Sequence, residues 1–144
     1  MVAGYLGTLG VMNDDLAPPV LLDSARVLQY AETGGDASFT HRKTMIVDGE
    51  ILGPVPRMAI CEDLVEGTFL LMHCNSSWSV LAASYYSSIE AAKEAAERAY
   101  VGISSGWRAC HELSEQECRE VEERRQSLRE LAALYPIDRG PHAA

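Results

Sequence analysis

The residues best equipped for chemistry are the cysteines Cys61, Cys74, Cys110 and Cys118. Histidines adjoin two of them, in His73-Cys74 and Cys110-His111. Structural zinc draws its ligands from C-x₂₋₄-C or H-x₃₋₅-H spacings, because two ligands must reach one ion from one turn. Neither spacing occurs. Neighbours on a strand point to opposite faces, so His73 and Cys74 could hardly share an ion in an extended stretch. A nucleophilic cysteine needs a histidine or a helix N-terminus to lower its pKa. Cys110 has His111 beside it and an expected helix a few residues on, but the sequence names no third, orienting group. Burial as small hydrophobes is the simpler reading for all four thiols.

Two further groupings invite a binding role. His73 and Trp78 face one another if Asn75-Ser76 is a two-residue turn, and Trp78 would then wall a small ligand pocket beside the imidazole. Glu62, Asp63 and Glu66 crowd an expected hairpin tip, where they would form an acidic patch for a basic protein partner. No phosphate-binding loop, dinucleotide fingerprint, nucleophile elbow or zinc-protease motif is present. No pair of residues can be given general acid and base roles. The expectation is therefore no catalytic residue, no metal and no cofactor.

The elements that would position these residues are legible in part. Residues 1–23 are rich in glycine, then carry Asp14-Asp15 and Pro18-Pro19. They read as an irregular arm with a short strand near Tyr5, and Val20 to Leu22 packing on the domain edge. A single domain spans 24–135, and 136–144 is a frayed tail. Ala25 to Thr33 alternates as a strand, with Val27, Gln29 and Ala31 on one side. Asp48-Gly49 between apolar runs marks a hairpin pairing Val47 with Glu50 and Ile46 with Ile51. Strands follow at Arg57–Asp63, Thr68–Cys74 and Ser77–Ala83, with Gly67 free to take positive φ between the first two. In that register Cys61 pairs with Leu70, four positions from Cys74, so the two thiols stand roughly 13 Å apart.

The same register puts Met58, Ile60, Phe69, Leu71, His73, Trp78, Val80 and Ala82 on one face. It puts Ala59, Cys61, Leu70, Met72, Cys74, Leu81 and Ala83 on the other. Both faces are apolar, so both need a cover. A first helix starts at a capping box from Ser87 to Glu90 and presents Ile89, Ala92, Ala96, Ala99 and Tyr100. Gly102 ends it, and Ile103 and Trp107 tuck back under the domain. A second helix runs from a capping box at Ser114 and Glu117 to about Tyr135, where Pro136 stops it. Its apolar edge includes Val121, Leu128, Leu131, Leu134 and Tyr135, around a polar middle.

The fold class is thus α+β: an antiparallel meander of about five or six strands, one packed helix and a long C-terminal helix. Two apolar sheet faces and a half-covered helix predict a homodimer.

Composition narrows the function classes. The chain has 144 residues and a formal charge of −9. That length suits one domain that needs neither disulfide nor metal to hold it together. No basic run is longer than the two residues of Arg42-Lys43, so nucleic acid is not an expected partner. No run of about 18 apolar residues suggests a membrane span, and Gly4, Gly7 and Gly10 break up a poor signal peptide. A cytoplasmic location with reduced thiols is expected. Residues 1–83 carry ten acids and four bases, against eleven and eight in 84–144. The acidic front half suits solubility, or a basic partner.

The segment SSIEAAKEAAERAYVGISSGW, preceded by a Trp-containing hairpin, resembles one in small uncharacterised bacterial proteins. Those show a serine-capped Ala- and Glu-rich helix, then Tyr-x-Gly and a terminal Trp, filled here by Tyr100, Gly102 and Trp107. The resemblance implies a fold neighbourhood and a bacterial origin, with no activity. Some small acidic bacterial proteins are immunity or accessory factors, an analogy only. Two classes stay open: a non-enzymatic binding protein of that kind, or a small enzyme or ligand binder with a pocket near Trp78 and His73.

Overall fold

Apolar side chains at alternate positions cannot all be hidden by one layer, and the chain solves this with a sheet covered on two sides. The computed structural model describes residues 17–33, 38–40 and 46–135. The expected strand near Tyr5 and the tail at 136–144 lie outside these. The described strands are β1 (Leu21–Leu22), β2 (Ala25–Glu32), β3 (Ser38–Phe39), β4 (Ile46–Val47), β5 (Glu50–Ile51), β6 (Arg57–Asp63), β7 (Phe69–Cys74), β8 (Val80–Tyr86), β9 (Tyr100–Val101) and β10 (Arg108–Ala109). Helix α1 is Ile89–Ala99 and helix α2 is Glu115–Leu134, with a 3₁₀ turn at Ile103–Gly106 between them. The main sheet is antiparallel in the order β1-β2-β6-β7-β8, and β10 also pairs with β2. Strands β3 and β9 form one small ladder and β4 and β5 another. The architecture is α+β, as the sequence predicts.

The Asp48-Gly49 hairpin pairs Ile46 with Ile51 and Val47 with Glu50, and both turn residues have positive φ. The β6–β7 register pairs Cys61 with Leu70, and Gly67 has φ +75°. Leu21–Leu22, read as the end of the arm, instead enter the sheet through a tight turn in which Asp23 and Ser24 both have positive φ.

Two irregularities sort the side chains differently from simple alternation. A bulge between Val27 and Gln29 shifts the β2–β6 register. An extra residue flips everything beyond it to the other face. Val27 therefore packs with Cys61, Leu70 and Met72, whereas Ala31 packs with Met58 and Leu71 in the opposite core. The second irregularity is the β7–β8 connection. Asn75-Ser76 is not a two-residue turn. The Asn75 carboxamide oxygen accepts the Ser77 and Ser79 backbone N–H groups at 2.9 Å each, and the loop closes with the Asn75 N–H donating to the Ser79 carbonyl. The strand begins at Val80 rather than Ser77, and Cys74 pairs with Val80.

The first core lies under α1. Ser88, one residue later than expected, caps that helix by accepting the Ala91 N–H. Ala92, Ala95, Ala96 and Ala99 are buried, and their small side chains let the backbone sit close to Met58, Ile60 and Leu71. The Tyr100 hydroxyl accepts the Val55 N–H at 2.7 Å, while Ile103 and Trp107 pack on the same core. The second core holds Leu22, Ala59, Leu70, Met72 and Trp78. Helix α2 begins with the expected capping box, Ser114 and Glu117 each bonding the other's backbone. Its one buried residue is Val121. No described helix is long and apolar enough to cross a membrane.

Candidate functional site

The C-terminal half of α2 does not lie flat on the sheet, and the gap it leaves is a cleft of about 380 Å³. Leu70 and Tyr85 form the sheet wall; Leu128, Leu131, Ala132 and Tyr135 form the helix wall. Asp23 and Ser24 from the β1–β2 turn, and Asp63, Val65 and Glu66 from the β6–β7 turn, close one end. Tyr85, Leu131 and Tyr135 are 65%, 52% and 72% exposed.

Two arginines set the helix at this height. The Arg125 Nε donates to the Leu64 carbonyl at 3.1 Å, and the Arg124 guanidinium donates to Ser24 Oγ at 2.7 Å. Both partners belong to the turns that close the cleft. The helix is therefore tied to the sheet at its middle, by Val121 and these two bonds, and leans free beyond Leu128.

Of the acids expected at the hairpin tip, the structure brings two to the cleft. Asp63 and Glu66 line it. Asp63 also shapes the turn, since its Oδ1 accepts the Val65 and Glu66 N–H groups at 2.9 and 2.7 Å. Glu62 pairs with Arg26 and Phe69 in the register. Alternation sends it to the α1 side of the sheet, so the three acids are not one patch. Asp23 lines the cleft beside Asp63 and Glu66. The sequence reading missed it because it lies in a different turn, forty residues earlier; only its Asp-Ser turn chemistry was visible.

The structure puts His73 and Trp78 on different faces of the sheet. His73 pairs with Met58 and Ala82 and belongs to the α1 face. Trp78 packs in the second core, its ring 5.9 Å from Tyr30 in an edge-on contact and 5.4 Å from the Arg57 guanidinium. The longer β7–β8 loop causes the separation, by holding Trp78 outside the ladder at φ +65°. The sheet lies between the two side chains.

Cys61 and Cys74 are buried, Cys110 is half-buried and Cys118 is exposed, all as free thiols. Burial, and then the Asp23 carboxylate, pushes the Cys74 thiol up to about 12. Burial likewise pushes Cys61 up, with Cys74, Cys110 and Asp23 adding to it. Both are inert protonated thiols at neutral pH. Among the described residues, no group of three His, Cys, Asp or Glu side chains is placed to hold a metal ion.

No protein-family model matches the chain, and neither the curated proteins nor the solved structures hold a match.

Proposed function

We propose that the protein is a non-enzymatic interaction protein whose cleft between the sheet and α2 receives a basic, apolar-anchored segment of a protein partner. The observation that carries this reading is the convergence of acids from two separate turns on one end of an apolar cleft. Asp23, Asp63 and Glu66 would meet the partner's Lys or Arg side chains there. Tyr85, Leu128, Leu131 and Tyr135 would take its apolar side chains. Aromatic and leucine-lined grooves with a charged rim are how amphipathic segments are held. The formal charge of −9 adds long-range attraction for a basic partner. An immunity-type inhibitor or accessory factor is one form that such a protein takes, by analogy only. Four free thiols fit a reducing compartment such as the cytoplasm.

The test is fluorescence anisotropy with a labelled synthetic peptide of leucine and lysine at helical spacing. Binding should weaken steeply with salt, and Asp23→Lys with Glu66→Lys should remove most of the salt dependence. Leu131→Glu should abolish binding. Affinity indifferent to both changes would overturn the reading.

A homodimer is the second reading, and strand β8 favours it. This seven-residue strand ends the main sheet. It contains no charge and no proline, the devices that usually protect an edge from pairing. A two-fold axis perpendicular to the sheet beside β8 would pair the two edge strands antiparallel and continue the sheet across both copies. Light scattering decides between the two: a mass near 15.7 kDa at all concentrations removes the dimer.

A further inference from the structure

The half-buried thiol of Cys110 sits at the junction between β10 and α2, away from the cleft. Its backbone N–H donates to the Leu28 carbonyl at 2.9 Å, where the β2 bulge leaves that carbonyl available. This bond fixes the residue as an extension of β10. The thiol rests against the second core. The Cys110 Sγ lies 3.9 Å from the His111 Nδ1. On the far side of the ring, the His111 Nε2 lies 3.0 and 3.1 Å from the two carboxylate oxygens of Glu117. A carboxylate can only accept, so Nε2 carries a proton, and in the neutral imidazole Nδ1 then presents its lone pair toward the sulfur. Glu117 is itself held in place, because its Oε1 accepts the Ser114 N–H in the capping box. Thiol, imidazole and carboxylate thus stand in line, each oriented by the next.

We propose that Cys110 is a modification site that takes up a low-molecular-weight disulfide by thiol–disulfide exchange, with His111 as its base and Glu117 as the positioning residue for His111. The small disulfide is itself the oxidant: Cys110 is oxidised as the departing sulfur is reduced to a thiol. The His111 Nδ1 takes the thiol proton, and Cys110 Sγ bonds to one sulfur of the disulfide. The disulfide S–S bond breaks, and the departing thiolate recovers the proton from the imidazolium. The product is a mixed disulfide and one free thiol.

This chemistry fits the site better than acyl transfer, since exchange needs access and a proton relay but no oxyanion hole. A base is required because burial pushes the thiol up, an effect partly opposed by the His111 backbone N–H and the Arg26 guanidinium and reinforced by Glu117. Cys61, from β6, also feels Cys110.

Cys118 supplies the control within the same chain. It is more exposed than Cys110, so exposure alone would make it the faster thiol. The experiment follows the full-length protein with dithiobisnitrobenzoate, without denaturant, in Cys118→Ser and Cys110→Ser backgrounds. Cys110 should react faster than Cys118. His111→Gln or Glu117→Gln should slow Cys110 on the order of tenfold or more and leave Cys118 unchanged. Glutamine preserves a capping box, so α2 should keep its circular dichroism in Glu117→Gln. A Cys110 slower than Cys118, or a Cys110 rate indifferent to both glutamine variants, would overturn the assignment.

Discussion

Val121→Ala should release α2 from the sheet while the sheet stays folded. Val121 is the one buried residue of the helix, at 4% exposure. Removing two methyl groups costs roughly 1.6 kcal/mol in transfer, at about 0.8 kcal/mol for each methylene-sized group. The residual cavity raises this to roughly 2 kcal/mol. Against that loss stand one hydrogen bond from Arg125 to the Leu64 carbonyl and an exposed one from Arg124 to Ser24. Each contributes roughly 0.5–1.5 kcal/mol, more where the donor is charged. Docking of α2 is thus worth a few kcal/mol, and Val121→Ala removes about half of it. That is roughly a thirtyfold shift toward the undocked helix. A free twenty-residue helix frays in water, so its amides become exchangeable. Hydrogen exchange read by mass spectrometry is the assay. Peptides from 115–134 should exchange on the order of tenfold faster or more, and those from β6 and β7 should not change. Equal acceleration of helix and sheet would refute the idea that α2 is a separately released wall.

Leu71 is fully buried between the sheet and α1, so Leu71→Ala should cost roughly 2–5 kcal/mol in urea unfolding; a loss below about 1 kcal/mol would mean that the α1 core is loosely packed. Glu97 accepts the Gly102 and Ser104 N–H groups and the Ser104 hydroxyl, and these bonds, the Gly102 one foremost, hold its carboxyl below the ordinary value of 4.5. Its contribution to stability is therefore complete above that value and lost as pH falls through the lowered one. The thermal midpoints of wild type and Glu97→Gln should differ at neutral pH and converge in acid, and a gap constant with pH would show that the carboxylate is not responsible. Asp63→Ala removes the acceptor of two turn N–H groups and should destabilise the β6–β7 turn by roughly 1–2 kcal/mol; unchanged exchange at Val65 and Glu66 would count against this.

What the sequence made legible was local. Asp48-Gly49 announces its own turn, because positive φ at two adjacent residues has few chemical solutions. Ser114 and Glu117 announce the start of α2 for the same reason. The β6–β7 pairing follows from one Gly-containing loop between two apolar runs. The β8 register was not legible, since Asn75-Ser76 has the composition of a tight turn, yet the Asn75 side chain organises a longer loop. The bulge in β2 was equally hidden, because alternation in Ala25–Glu32 runs unbroken across it. The cleft lay further still from view. Its rim joins Asp23 to Asp63 and Glu66, and its walls join Tyr85 to Leu131, pairings that only the tertiary fold creates. Glu117 shows the same limit: its spacing from Ser114 identified a cap, and nothing in that spacing revealed His111 on its other side.

Chemical-shift mapping tests the binding role of the cleft most directly. Isotope-labelled protein would be titrated with the leucine–lysine peptide, and a lysine–serine peptide of equal charge would serve as control. The leucine-bearing peptide should shift Tyr85, Leu128, Leu131 and Tyr135 together with Asp23 and Glu66, and the control should shift only the acidic rim. Shifts scattered over the acidic surface, or identical for the two peptides, would contradict a binding role for the cleft.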